Sequence, residues 1–146
     1  MKMRKIFITT LVFCIVSLTS FGSANELASE APEGAQVYFI SPADGDIVST
    51  TVTVRFGLKG MGVAPAGTQR KHTGHHHLLV NLDVDSLDMT QPLPATEQII
   101  HFGGGQTETQ LQLPSGHHSL QLLLGNHAHV PHDQPVLSEK IHITIE

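Results

Sequence analysis

Residues 73–80 read Thr73-Gly74-His75-His76-His77-Leu78-Leu79-Val80, three consecutive histidines running into an apolar segment that ends on a β-branched residue. A short apolar run bounded by turn residues reads as a strand. Side chains alternate between the faces of a strand. His75 and His77 therefore share one face, and His76 points to the other with Leu78 and Val80. A second stretch has the same form: Asn126-His127-Ala128-His129 follows the apolar residues 120–124, and as a strand extension it too would put two imidazoles on one face. If the two strands are neighbours, four rings can surround one ion, since i and i+2 lie ~6.8 Å apart along a strand and adjacent strands ~4.8 Å apart.

Further strands are expected at residues 36–40, 47–58, 75–82, 99–102, 107–113, 119–124 with its histidine extension, and 136–145. Turn signals separate them: Asp44-Gly45, the glycine-rich residues 60–67, Gly103-Gly104-Gly105, Pro114-Ser115-Gly116 and Pro131-His132-Asp133-Gln134-Pro135. Residues 83–98 form a long connection carrying Pro92 and Pro94, where a short helical turn is expected. About seven short strands with no helical period predict an all-β, immunoglobulin-like antiparallel β-sandwich. In that order the third and sixth strands are neighbours in one sheet, so the fold expectation and the paired-histidine expectation support each other. There is no tryptophan and no cysteine pair, so an antibody-type domain is excluded. His118 falls where such sandwiches place a corner residue on the sixth strand.

The N-terminal residues have a different character. Lys2, Arg4 and Lys5 precede an apolar run over residues 6–18, and Ser20, Gly22, Ser23 and Ala24 follow. Basic, apolar and small in that order predicts a signal peptide over residues 1–24, and the run is short for a membrane span of ~20 residues. Residues 25–35 read as a flexible leader and 36–146 as a single domain, periplasmic or secreted. Cys14, the only cysteine, lies in the apolar run. Cleavage would thus remove disulfides, thiolate ligands and cysteine nucleophiles together.

After residue 24 five basic residues face thirteen acidic ones, a net charge of −8 with neutral histidine. That balance argues against nucleic acid and anionic membrane surfaces as partners. All eleven histidines fall between residues 72 and 142. Imidazole without thiolate suits Cu²⁺ or Zn²⁺ and not Ca²⁺ or Mg²⁺, which take oxygen.

The expected metal ligands are His75, His77, His127 and His129, with His101, His132 and His76 as further candidates. His76 reads equally well as a hydrogen-bonded histidine at the core edge. His72, His117 and His142 read as solvated surface. Gly103-Gly104-Gly105 could cradle an anion, but a tight turn is the plainer reading. Glu108 and Asp133 could orient ligand rings, and Met61 and Met89 could serve as soft ligands. No nucleophile–base–orienter set is visible, so no catalytic residue is assigned.

The segments Gly60-Met61-Gly62-Val63-Ala64-Pro65-Ala66-Gly67, Thr73-Gly74-His75-His76-His77-Leu78-Leu79, His101-Phe102-Gly103-Gly104-Gly105-Gln106-Thr107-Glu108 and Leu122-Leu123-Leu124-Gly125-Asn126-His127 resemble the bacterial exported domain-of-unknown-function family 4399. The resemblance covers nearly all of the chain after residue 24. It implies an exported β-domain and names no activity. The residues themselves predict an exported Cu²⁺- or Zn²⁺-binding domain that carries, buffers or senses the ion. An interaction module whose histidines form a pH-responsive face, with another exported protein as the expected partner, is the alternative. A metalloenzyme with an open three-histidine site is the third reading.

Overall fold

The computed structural model describes residues 29–146; the expected signal peptide and Cys14 lie outside the described residues. Nine strands form two sheets. β1 (Gln36–Ser41), β3 (Thr51–Lys59) and β7 (Glu108–Gln112) make the smaller sheet, in the order β1-β3-β7. β2 (Ile47–Val48), β9 (Ile141–Ile145), β8 (Gly116–Gly125), β5 (Thr73–Val80) and β4 (Gly62–Val63) make the larger, with β6 (Ile99–His101) also paired to β5. The principal pairings are antiparallel, and the expected immunoglobulin-like sandwich is the observed architecture. The third and sixth expected strands are neighbours: β5 pairs β8 from His75↔Gly125 to Val80↔Leu120.

Alternation along each strand explains the layering. Val52, Val54 and Phe56 of β3 face inward, while Thr51 and Arg55 face solvent. From the larger sheet, Leu78, Val80, Leu120, Leu122, Leu124, Ile141, Ile143 and Ile145 close the same core. A second cluster lies on the outer face of the larger sheet, where Leu79, Leu93, Ile99 and Leu123 pack with Leu82, Val84, Leu87, Met89 and Leu137. The long connection after β5 supplies much of this cover. It contains the expected helical turn as a single 3₁₀ turn, Val84–Ser86, capped by the Asp83 carboxylate. β5 and β8 are thus buried on both faces, which is why their sequences run apolar without the usual alternation.

Three expected elements are corrected. Residues 47–58 are not one strand. Ile47–Val48 pairs in parallel with Thr144 and Ile145 of the larger sheet, and the chain then crosses to the smaller sheet at Ser49 and Thr50. Strands that change sheets in this way make the corners of sandwiches. Residues 136–145 are likewise interrupted. Ser138 accepts the Leu122 N–H on its hydroxyl (2.9 Å) while its carbonyl takes the Gln121 amide (2.9 Å), so a side chain replaces a rung of the ladder before β9 begins. The glycine-rich loop after β3 contains the two-residue strand β4, parallel to the start of β5.

Within the expected leader, residues 29–35 touch the domain. The Ser29 carbonyl accepts from the Asp133 N–H, the Ala31 N–H donates to the Asp133 carboxylate, and Ala31 and Ala35 pack on the core. Among the described residues no helix is long and apolar enough to cross a membrane.

Candidate metal centre

Three elements bring four imidazoles together on the outer face of the larger sheet. His75 and His77 leave β5 on the same side. His101 ends β6 directly opposite His77 in the antiparallel register. His129 arrives from the turn after β8. One ring nitrogen from each lies within 4.8 Å of all the others. The ring centroids are 4.9 Å apart for His75–His77 and His75–His101, 4.6 Å for His101–His129 and 5.0 Å for His75–His129. His75 Nε2 and His129 Nδ1 stand at hydrogen-bonding distance, 3.1 Å. A tetrahedral shell with bonds of 2.0–2.1 Å puts neighbouring nitrogens about 3.3 Å apart, so nitrogens now up to 4.8 Å apart would draw together by as much as about 1.5 Å, His129 and His77 having the widest ring separation at 6.1 Å.

Several other ring nitrogens in the cluster make no hydrogen bond. His75 Nδ1, both nitrogens of His77 and His101 Nε2 are buried with no hydrogen-bond partner. Leaving a buried polar group unpaired costs roughly 1–3 kcal/mol. A cation bound between the rings would take up such lone pairs.

Electrostatics favour the metal-binding protonation state. Burial, followed by repulsion from His101 and His129, lowers the His75 pKa from 6.5 to about 4. Burial, followed by repulsion from His75, His101 and His129, lowers His77 to about 3. His101 is lowered by the same causes, burial first and then His129. These rings are neutral at neutral pH, and a neutral imidazole carries the lone pair that coordination needs. Among the described residues no carboxylate belongs to the cluster.

Two glycines make room for the rings. A Cβ on Gly125 would stand 2.6 Å from His77 Cε1, and a Cβ on Gly103 would collide with the His101 ring. Gly103 is thus cleared for a histidine. Further along, Gly105 takes the positive φ (81°) of a tight turn and donates to the Phe102 carbonyl. The turn reading of residues 103–105 describes this loop.

The expected extension of the sixth strand through His129 is corrected. β8 ends at Gly125, and residues 126–130 fold back as a tight turn. Asn126 accepts the N–H groups of Ala128 (2.8 Å) and Val130 (3.1 Å) on its side-chain oxygen, and such local bonding competes with strand extension. His127 and His129 therefore do not share a strand face. His129 joins the cluster, whereas half-buried His127 lies outside it, its carbonyl accepting from the Gly67 N–H.

The other candidates are dispersed. His76 points into the core between the sheets, 4.7 Å from the Phe56 ring. Neither of its nitrogens makes a hydrogen bond, and burial lowers its pKa to about 4, against the carbonyls of Gln106 and Gly57, which favour the proton. His132 is buried behind the pair, near the carbonyls of Leu124 and Thr73 and the Asp133 carboxylate; burial is the larger effect and lowers its pKa. Glu108 pairs with Arg55 (3.0 Å) on the other sheet, and Asp133 bonds to the Ala31 and Gln134 N–H groups, so neither holds a cluster ring by any hydrogen bond. Met61 and Met89 pack into the two apolar clusters. His118 occupies a corner: Nε2 donates to the Pro114 carbonyl (2.8 Å), which leaves Nδ1 to accept from the Asn81 amide (2.9 Å). His72, His117 and His142 are exposed.

Comparison with known proteins adds a family and no activity. No curated protein matches the chain. Among solved structures, an endo-beta-1,4-mannanase from Thermotoga petrophila is similar at 18% identity and a TM-score of 0.45, over 77% of this chain and 20% of that one. This chain therefore spans about a fifth of that protein's length. The family described as Domain of unknown function (DUF4399) matches residues 54–146, the stretch that holds all four clustered histidines. The chain belongs to the DUF4399 family.

Proposed function

We propose that this protein is an exported metal-binding domain that carries, buffers or senses Cu²⁺ or Zn²⁺ through His75, His77, His101 and His129. The observation that carries the reading is the convergence of four imidazoles, one ring nitrogen from each within 4.8 Å of the others, on rings of which three carry buried nitrogens without a hydrogen-bond partner. All-nitrogen donors suit Zn²⁺ in a tetrahedral shell and Cu²⁺ in a tetragonal one. His75 and His77 are fully buried and His101 and His129 half-buried, so an ion would enter from the His101–His129 side.

A pH-responsive contact face is the weaker reading. Burial holds His75 near 4 and His77 near 3, below the range in which mild acidification would charge them. An open catalytic site is weaker as well, because four protein nitrogens complete a tetrahedral Zn²⁺ shell and leave no position for substrate. Export rests on residues 1–24, and an N-terminus at Asn25 in mass spectra of the exported protein is the expected result; a mass retaining Met1 would contradict it.

Calorimetric titration of Cu²⁺ and of Zn²⁺, with elemental analysis of the dialysed complex, tests the site. One ion per chain is expected for wild type, with affinity about 10⁴-fold weaker in His77→Ala/His101→Ala. Equal affinity in the two proteins would dispose of the site.

A further inference from the structure

We infer that Asn126 is the positioning residue that makes His129 a metal ligand, an inference that rests on the four-histidine reading above. Three of the four rings are placed by strand ladders: His75 and His77 by β5 against β8, and His101 by its pairing with His77. His129 has no strand. It sits in the turn at φ 65°, in the left-handed region that a residue with a Cβ adopts only when its surroundings hold it there.

What holds it is Asn126, which is almost wholly buried. Its side-chain oxygen takes two backbone N–H groups, those of Ala128 at 2.8 Å and Val130 at 3.1 Å, on either side of His129. Its own N–H donates to the Val130 carbonyl (2.9 Å) and its carbonyl accepts the His129 N–H (2.9 Å). The turn is closed behind by the Gly125↔Pro131 bridge and in front by the Leu93 N–H, which donates to the His129 carbonyl (2.9 Å). The result is His129 Nδ1 held 3.1 Å from His75 Nε2. Asn126 contributes no atom to the cluster; it sets where the fourth nitrogen stands.

The test uses Cu²⁺-loaded protein and reads nitrogen couplings by electron paramagnetic resonance alongside affinity by calorimetry. The proteins are wild type, Asn126→Ala, Asn126→Asp, His129→Ala and the Asn126→Ala/His129→Ala double variant. Asn126→Ala should give the three-nitrogen spectrum of His129→Ala, with affinity about 10- to 100-fold weaker, and the double variant should lose nothing more, because both changes withdraw the same ligand. Asn126→Asp should keep the four-nitrogen spectrum, since a carboxylate oxygen accepts the same two N–H groups. A four-nitrogen spectrum and affinity within twofold of wild type in Asn126→Ala would overturn the inference, as would losses that add in the double variant. Should the alanine variant fail to fold, Asn126→Gln decides, since its longer side chain moves the accepting oxygen away from the two N–H groups: three nitrogens uphold the role, and four refute it. A wild type showing no nitrogen-bound Cu²⁺ would bring down the four-histidine reading itself, before any substitution is compared.

Discussion

His76, Leu78 and Val80 leave β5 on one side, His75, His77 and Leu79 on the other, and all six are buried. On the inner side they meet β3 and β8 residues such as Val54, Phe56, Leu122 and Leu124, held by two packed sheets. On the outer side the cover is the connection after β5, the edge strand β6 and the segment after β8. The inner face is a core closed by regular ladders. The outer face is closed by loops, and among the described residues it is there that imidazoles meet one another. Loops over a rigid sheet are where binding groups tend to sit, because the scaffold fixes one part of the site and the loops adapt the rest.

The largest expected effect separates the faces by function. A four-ligand structural Zn²⁺ site is typically worth roughly 10–16 kcal/mol, or about 3 kcal/mol per ligand. His77→Ala/His101→Ala should therefore weaken binding by about 10⁴-fold in calorimetry while the far-ultraviolet circular dichroism stays that of wild type. Loss of the β spectrum instead would mean that the outer face is as structural as the inner one.

Next comes packing. Leu122 and Leu123 are adjacent, both fully buried, and point to opposite faces. Leu122→Ala should destabilise by about 3–5 kcal/mol in urea, and Leu123→Ala by about 2–3 kcal/mol, because loops relax into a cavity more readily than ladders do. Equal losses would mean that the two faces are equally rigid.

Acid should act through the outer face too. The His75 and His77 pKa values fall from 6.5 in the unfolded chain to about 4 and about 3. Below 6.5 the unfolded chain takes up protons that the folded chain refuses, so stability of the metal-free protein is full above that pH and falls progressively as the pH drops to about 3. Urea midpoints at several pH values check this, and replacing His75 with Asn should flatten the profile.

A smaller effect belongs to Gly125→Ala. Its new methyl would press on the His77 ring, and overpacking of this kind costs about 1–3 kcal/mol, which should read as a 10- to 100-fold affinity loss. The smallest is His127→Ala, expected within twofold of wild type because His127 lies outside the cluster. A His127 effect matching that of His101 would move the site.

Much of this was legible in the sequence. Period-2 alternation in β3 and β9 and the turn residues between strands specify the sandwich, and the same alternation puts His75 and His77 together. His101 was visible as a histidine at the end of a short strand, but its place opposite His77 follows from pairing between segments about 20 residues apart, which no local pattern records. The 126–130 turn was hidden differently. His127-Ala128-His129 alternates like a strand, and only the bonds that Asn126 makes to Ala128 and Val130 turn the chain there. Asparagine before such a segment was the available signal. The break at Ser138 has the same origin, a polar side chain taking over a backbone bond.

X-ray absorption at the zinc edge of protein loaded with one equivalent of Zn²⁺ tests the central claim most directly. The account predicts a first shell of four nitrogens at about 2.0–2.1 Å with the outer-shell scattering of imidazole rings. In His77→Ala/His101→Ala that signature should be gone. A wild-type shell of mostly water or carboxylate oxygen, or the same four-imidazole shell surviving in the variant, would contradict it.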